Sequence, residues 1–229
     1  MERKIIAIDG AAGTGKSTLA EKLAAKLGWP MFSTGRLYRA VELLAHQHSV
    51  PESDSKELCK LLDAHQLQVV KSVDQNILNI TLDGAPVDHL LYSDQVPNNG
   101  SKVAALREIR EALIPIQRSA APASDLVVEG RDIGSAIFPE ALVKFFIIVP
   151  SAEVRATRRA LQKLGREPTE SERSEIIRDL EARDLRDAGR EFNPTKQPED
   201  ALVIDNSSQP LTEIVEKMYN YVLCEIRKR

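Results

Sequence analysis

Apolar residues in this 229-residue chain follow two different spacings. Four short runs are almost continuously apolar, which is typical of strands buried on both faces of a parallel sheet; they are 4–8, 126–128, 143–149 and 201–204. Elsewhere apolar positions recur every three or four residues, which predicts helices at 17–27, 34–46, 53–65, 101–118, 151–164, 171–188 and 211–226. We expect Ser53, Ser101 and Ser151 to cap their helices. Strands and helices that alternate in this way predict an α/β fold with a doubly wound parallel sheet.

One segment departs from this alternation. Residues 66–71 and 77–82 alternate apolar and polar positions with a period near two, and a short polar turn around 72–76 separates them. Asp83-Gly84 then opens a second turn. The pattern predicts an antiparallel hairpin inserted into the α/β frame. This hairpin is either a decoration of the surface or a subdomain on the substrate side.

A phosphate-binding loop joins the first predicted strand to the first predicted helix. Residues 10–17 match the G-x-x-x-x-G-K-[ST] pattern in its strand–loop–helix context, and a chance glycine-rich turn is the alternative. The glycines let backbone N–H groups converge on phosphate oxygens, and the helix adds the positive end of its dipole. We expect Lys16 to reach the β- and γ-phosphates of a nucleoside triphosphate and the Ser17 hydroxyl to bind Mg²⁺. The residues predicted to bind the triphosphate are Gly10, Ala11, Ala12, Gly13, Thr14, Gly15, Lys16, Ser17 and Thr18.

The segment 155–190 is rich in arginine, with acidic residues interleaved. Most such runs are solvated helix faces. Here Arg183, Arg186 and Arg190 are spaced to share one helical face, where like charges repel each other unless an anion binds. The run therefore favours a mobile phosphate clamp, with hinges at Pro168 and at 190–198.

Two further loops should face the phosphate-binding loop. The segments 33–39 and 129–134 each follow a predicted strand directly, and each contains arginine. In an open parallel sheet the ligand crevice lies beyond the carboxyl ends of the strands, so three phosphate-competent loops meet at one edge. The N-K-x-D signature of GTPases occurs nowhere in the chain. The sequence thus favours a kinase that acts on a small acceptor.

Eight segments, considered together, are similar to motifs of the bacterial cytidylate kinase family; they are 10–18, 33–40, 99–104, 110–113, 129–134 with Phe138-Pro139, 156–159, 183–190 and 200–205. The resemblance covers nearly the whole chain. It implies ATP-dependent phosphorylation of CMP and dCMP with Mg²⁺, on a five-stranded parallel P-loop core flanked by helices. It further implies one kinase domain over 1–229, with a core of 1–65 and 101–229, a nucleotide-binding insertion of about 66–100 and a helical lid of about 155–190.

The resemblance also implies roles for individual residues. Cytosine presents an amino donor and two acceptors, which a carboxylate, a guanidinium and a hydroxyl can serve, and uracil reverses the first two. The resemblance implies that the base is bound by Ser101, Arg110 and Asp132, and that the acceptor phosphate is bound by Arg39, Arg131 and Arg190. It implies that the ribose is bound by Arg183 and Asp187, with further nucleotide contacts from Thr34 and Tyr38. It implies that ATP is contacted by Arg158 and Arg159. We expect catalysis to depend on Lys16, Arg131, Arg183 and Arg190. Glu129 stands where the family usually has Asp, and no role is assigned to it.

Composition narrows the possible partners. A net charge of −3 gives no bulk attraction to nucleic acid or to anionic membrane, and 4% aromatic residues disfavour a base-stacking surface. Cys59 and Cys224 lack metal spacing, and no run is long enough to span a membrane. From these features we expect a cytoplasmic protein; the resemblance further implies a monomer that binds ATP and CMP or dCMP. The alternatives are a related kinase acting on UMP or another small acceptor, and a non-catalytic nucleotide sensor.

Overall fold

The computed structural model describes residues 3–72, 77–93, 96, 100–120 and 125–228. Its strands in chain order are β1 (Ile5–Gly10), β2 (Met31–Ser33), β3 (Leu67–Lys71), β4 (Leu78–Leu82), β5 (Ala85–Pro86), β6 (Leu126–Gly130), β7 (Val143–Ile148) and β8 (Leu202–Asp205). Its helices are α1 (Lys16–Leu27), α2 (Gly35–Gln47), α3 (Ser55–Ala64), α4 (Gly100–Val103), α5 (Arg107–Ser119), α6 (Ala152–Leu164), α7 (Glu170–Ala188) and α8 (Leu211–Arg227). A π-helical turn spans Ile133–Ile137.

Five strands form a wholly parallel sheet in the order β2-β6-β1-β7-β8, with β1 at its centre. The predicted doubly wound α/β fold is confirmed. The carboxyl ends of β1, β2 and β6 lie side by side, and each continues into one of the three loops singled out above. This edge of the sheet is where the site forms.

Successive residues of β1 bury their side chains on opposite faces of the sheet. Ala7 packs in a core with Phe32 and Leu44, whereas Ile8 packs in a second core with Phe145. Because β1 is covered on both sides, its sequence is continuously apolar rather than alternating. The two cores fix the position of the loop that follows β1.

The inserted hairpin is also confirmed. β3 and β4 pair antiparallel with Val69 opposite Ile80, and β5 adds a short third strand after the turn at Asp83-Gly84. Most of the predicted turn around 72–76 lies outside the described residues. Ile80 is fully buried and belongs to the same core as Phe32. The small sheet is therefore packed onto the main one and is not a loose surface decoration.

Two helix predictions need correction. The predicted helix 101–118 is two helices, α4 and α5, separated at 104–106. The Ala104 carbonyl oxygen at this break accepts hydrogen bonds from Arg110 at 3.2 Å and from Arg190 at 3.3 Å, which requires it to face the cleft instead of a helical turn. Ser101 is the second residue of α4 and so does not stand at the position before a helix, where we expected it as a cap.

Of the other two predicted helix caps, the one for α3 is wrong and the one for α6 is confirmed. Asp54, not Ser53, caps α3, because its carboxylate accepts from the Glu57 N–H at 3.1 Å. Ser151 caps α6 as predicted, accepting from the Val154 N–H at 3.2 Å.

The arginine-rich segment forms the antiparallel pair α6 and α7. α7 begins with a capping box between Thr169 and Glu172 and ends at Ala188. Arg190 therefore lies beyond the helix, and the expected helical face shared with Arg183 and Arg186 is wrong for it. Among the helices that the structure describes, none combines the length and the apolar content needed to cross a bilayer.

Candidate active site

A cleft of about 680 Å³ opens at the carboxyl ends of β1, β2 and β6 and runs beneath α6 and α7. Most of the residues predicted from sequence line it, namely Ala12, Gly13, Gly15, Lys16, Ser17, Thr18, Thr34, Tyr38, Arg39, Ser101, Arg110, Arg131, Asp132, Arg158, Arg159, Arg183, Asp187 and Arg190. Gly10, Ala11 and Thr14 belong to the same loop but are not among the residues that line the cleft. Three loops far apart in sequence thus meet at one site.

The loop between β1 and α1 has a backbone that only glycine permits. A Cβ on Gly10 would lie 2.4 Å from the Ile147 carbonyl oxygen, and Gly15 is left-handed with a φ of 80°. Gly15 is the N-cap of α1, and no side chain caps that end. The first residues of α1, Lys16, Ser17 and Thr18, line the cleft, and a helix N-terminus that its own cap residue does not satisfy suits an anion.

Lys16 is buried at the bottom of this loop. Its Nζ donates to the Ala11 carbonyl oxygen at 3.2 Å and lies 4.0 Å from Glu129 Oε2. Burial first, and the Arg131 guanidinium next, lower the pKa of Lys16 to about 7. Such an environment favours a bound anion, because phosphate oxygens would restore the charged form of the amine.

Glu129, at the end of β6, is the residue that the sequence left without a role. Its Oε1 accepts hydrogen bonds from Ser17 Oγ at 3.0 Å and from Ser33 Oγ. A hydroxyl and a carboxylate beside a triphosphate site are the oxygen donors that Mg²⁺ prefers. The donor set at Ser17 and Glu129 therefore fits a magnesium ion.

Three arginines surround one carboxylate in the middle of the cleft. Asp187 accepts from Arg131 at 2.9 Å, lies 3.1 Å from Arg190, and lies 3.9 Å from Arg183. Burial would raise the pKa of Asp187, but the Arg131, Arg190 and Arg183 guanidiniums hold it below its usual value. One carboxylate cannot neutralise three cations, so positive charge is left over at this point.

The same excess charge affects the neighbouring arginines. Burial lowers the pKa of Arg183 to about 10, with Arg131 as the next cause. Burial also lowers the pKa of Arg159, with Arg39 and then Arg131 as further causes. Because these shifts come from crowded cations in a buried cleft, a bound phosphate would relieve them.

The far end of the cleft holds a buried ion pair. Arg110 is 2% exposed and Asp132 4%, and a guanidinium N–H of Arg110 donates to Asp132 Oδ2. The Tyr38 ring lies 5.5 Å from the Arg110 guanidinium. Such a pair presents an acceptor and a donor side by side, a pattern able to read the edge of a base.

Ser101 and Arg186 deviate from expectation. The Ser101 hydroxyl lines the cleft but accepts from Arg186 at 3.1 Å. Arg186 is itself exposed and is not among the residues that line the cleft, so its place in the phosphate clamp stays a prediction. Thr34 is buried, and its hydroxyl donates to the Glu129 carbonyl oxygen at 3.2 Å.

Two site residues escaped the sequence reasoning. Asp9 is 1% exposed and accepts from the N–H groups of Ile133 at 2.8 Å and Gly134 at 2.7 Å, which anchors the loop carrying Asp132. Asn206 donates to the Thr14 carbonyl oxygen at 2.8 Å and accepts from Arg158 at 2.7 Å. The available signal for Asp9 was an acid at the end of an apolar strand, immediately before Gly10.

Comparison with known proteins agrees with this geometry. The family model described as cytidylate kinase matches residues 6–223. A cytidylate kinase from Pseudomonas fluorescens (strain Pf0-1) is 37% identical over 219 residues, which cover 95% of this chain and 94% of that protein. One from Clostridium botulinum (strain Loch Maree / Type A3) is 37% identical over 224 residues, covering 98% and 97%. A solved shikimate kinase from Acinetobacter baumannii is a looser match, with 16% identity, coverage of 97% and 94%, and a TM-score of 0.44. The chain belongs to the cytidylate kinase family.

Proposed function

We propose that this protein transfers the γ-phosphoryl group of ATP to the phosphate of CMP, and of dCMP, in a direct in-line reaction. The observation that supports this most is the arrangement of one continuous cleft. A phosphate-binding loop lies at one end, the Arg110–Asp132 pair lies at the other, and a group of arginines lies between them. Each end accommodates one nucleotide, so that the two phosphate groups meet in the middle.

ATP occupies the end formed by residues 10–18. The backbone N–H groups at the start of α1 bind its β- and γ-phosphates, and Lys16 supplies the charge. Arg158 and Arg159 on α6 line the same cleft and add positive charge for the triphosphate. Ser17 and Glu129 would hold a magnesium ion, which would neutralise charge on the triphosphate.

CMP occupies the other end. The Asp132 carboxylate accepts from the cytosine amino group, while Arg110 and the Ser101 hydroxyl donate to the ring acceptors. Ser101 Oγ accepts from Arg186, which leaves its O–H free to donate to the base. Uracil would place an oxygen against the carboxylate and an N–H against the guanidinium. A buried polar site can reject such a mismatched base by about 10⁴-fold.

The acceptor phosphate binds among Arg39, Arg131 and Arg190, and the ribose binds at Arg183 and Asp187. This phosphate is already an anion, so the reaction requires charge neutralisation and alignment and no general base. The arginines supply both, because the incoming phosphates neutralise the positive charge that Asp187 leaves uncompensated.

The insertion at about 66–100 and the lid at about 155–190 are the parts of the single kinase domain that close on the substrates. α6 and α7 carry residues that contact both substrate ends, so their closure would exclude water and protect ATP from hydrolysis until CMP is bound.

A coupled assay of nucleoside diphosphate formation tests the function. ATP and Mg²⁺ are supplied with CMP, dCMP, UMP, dTMP or AMP in turn, and kcat/KM is measured for each acceptor. We expect CMP and dCMP to exceed UMP by at least about a hundredfold. A preference for UMP would indicate a related kinase of different specificity, and no turnover of any acceptor would indicate a nucleotide sensor.

A further inference from the structure

Side chains from both lid helices hold the backbone of one residue in the phosphate-binding loop. The Ala12 N–H donates to Asp184 Oδ1 at 3.0 Å, and the Ala12 carbonyl oxygen accepts from Arg155 at 3.2 Å. Arg155 also pairs directly with Asp184 Oδ2. We call this closed set of three hydrogen bonds the Ala12 latch. Asp184 and Arg155 do not line the cleft, whereas Ala12 does, so these two side chains act on the substrate site through the Ala12 backbone.

The loop is packed tightly where the latch forms. The Ala12 side chain belongs to a small apolar cluster with Ala156 of α6 and Leu180 of α7. A Cβ on the next residue, Gly13, would lie 3.2 Å from Arg155 Cβ. These contacts tie the position of the loop at Ala12 to α6 and α7.

Charge makes the two latch side chains act as a unit. An unpaired carboxylate beside a loop that binds triphosphate would repel the ligand, and Arg155 cancels the charge of Asp184. Arg155 is 8% exposed, so its own charge also needs a partner. Loss of either side chain therefore leaves the other charge uncompensated next to the phosphate site.

The latch connects the two ends of the cleft through α7. Asp184 follows Arg183 directly and precedes Asp187 by three residues, and those two side chains reach the acceptor end. Asp187 binds Arg131, which in turn donates to the Gly10 carbonyl oxygen at 2.8 Å. Helix α7 thus holds the loop directly at Ala12 and through Arg131 at Gly10.

We propose that Asp184 and Arg155 are positioning residues that couple ATP binding in the loop to CMP binding at α7. When ATP orders the loop, the latch places Arg183 and Asp187 for the acceptor, so each substrate raises the affinity for the other. The proposal rests on the proposed function, because it assigns ATP and CMP to the two ends of the cleft.

The test compares the dissociation constant of CMP with and without a saturating, non-hydrolysable ATP analogue and Mg²⁺. We expect the analogue to tighten CMP binding to the wild type about tenfold, a typical allosteric coupling. In Asp184→Ala the gain in CMP affinity caused by the ATP analogue should fall below about twofold. CMP binding without the analogue should stay within about threefold of wild type. Asp179→Ala, an exposed acid on the same helix, is the matched control and should keep the wild-type gain.

A double-mutant cycle with Arg155→Ala separates the latch from general damage. The double variant should lose no more coupling than Asp184→Ala alone, because the two side chains act as one unit. If Asp184→Ala does not fold, Arg155→Gln is measured instead. We expect Arg155→Gln to reduce the gain in CMP affinity caused by the ATP analogue at least about threefold. Wild-type coupling in the variants, or none in the wild type, overturns the proposal. Failure of the proposed function would instead appear as a wild type that makes no CDP.

Discussion

The buried Arg110–Asp132 pair makes a prediction that can be worked out from the structure. Asp132→Ala removes the carboxylate that binds the cytosine amino group and leaves Arg110, at 2% exposure, with the Ala104 carbonyl oxygen as its remaining acceptor among the hydrogen bonds that the structure describes. Hydrogen bonds to charged groups contribute about 1.5–3 kcal/mol each. Asp132→Ala affects two such hydrogen bonds, the one from the cytosine amino group and the one from Arg110. The expected loss is therefore about 3–6 kcal/mol, or about 10²–10⁴-fold in kcat/KM for CMP.

ATP should be almost unaffected, because Asp132 makes no contact with residues 10–18 among its described hydrogen bonds and ion pairs. A coupled assay at saturating ATP gives kcat/KM for CMP, and displacement of a fluorescent nucleotide without CMP gives the ATP affinity. Glu140→Ala, an exposed acid that follows the same loop, is the control. Circular dichroism and the melting temperature establish that the variant is folded.

The reasoning would be refuted by either of two results. If folded Asp132→Ala keeps kcat/KM for CMP within about tenfold of wild type, the carboxylate does not read the base. If ATP affinity falls as far as CMP turnover, Asp132 supports the whole site and not one substrate.

Three further variants test other parts of the site. Lys16→Ala should lower kcat about a hundredfold, the loss of roughly 3 kcal/mol expected for one preorganised donor, and turnover within about twofold of wild type would contradict its role. Glu129→Gln should raise the Mg²⁺ concentration for half-maximal rate about tenfold at fixed ATP, and an unchanged Mg²⁺ dependence would remove Glu129 from the metal site. Burial raises the pKa of Asp9 from 3.8 to about 7, so the folded protein retains this proton to higher pH than the unfolded chain. Wild type should therefore lose stability relative to Asp9→Asn as the pH rises through that window, and urea unfolding that shows the opposite trend would contradict this.

The sheet and the meeting of three loops at its edge could be predicted from sequence. Strands such as 4–8 have a continuously apolar pattern because they are covered on both faces, and parallel strands bring their carboxyl ends to one edge. The hairpin at 66–82 was readable because its apolar residues alternate, as expected of a sheet with one buried face.

What sequence could not show are contacts made across long stretches of chain. Asp9 meets Ile133 over a separation of 124 residues, Ser17 meets Glu129 over 112, and Ala12 meets Asp184 over 172. None of these pairs has a local spacing that a periodic pattern records. The break between α4 and α5 escaped for the same reason, because distant Arg190 and the more local Arg110 both bind the Ala104 carbonyl oxygen.

The most direct test of the central claim follows the γ-phosphoryl group itself. The protein is mixed with γ-labelled ATP and Mg²⁺, with and without CMP, and the label is traced by chromatography. The account predicts that the label passes to the β-phosphate of CDP when CMP is present and stays on ATP when CMP is absent. Label released as inorganic phosphate at the same rate in both mixtures, or retained on the protein, would contradict direct transfer between two nucleotides held in one cleft.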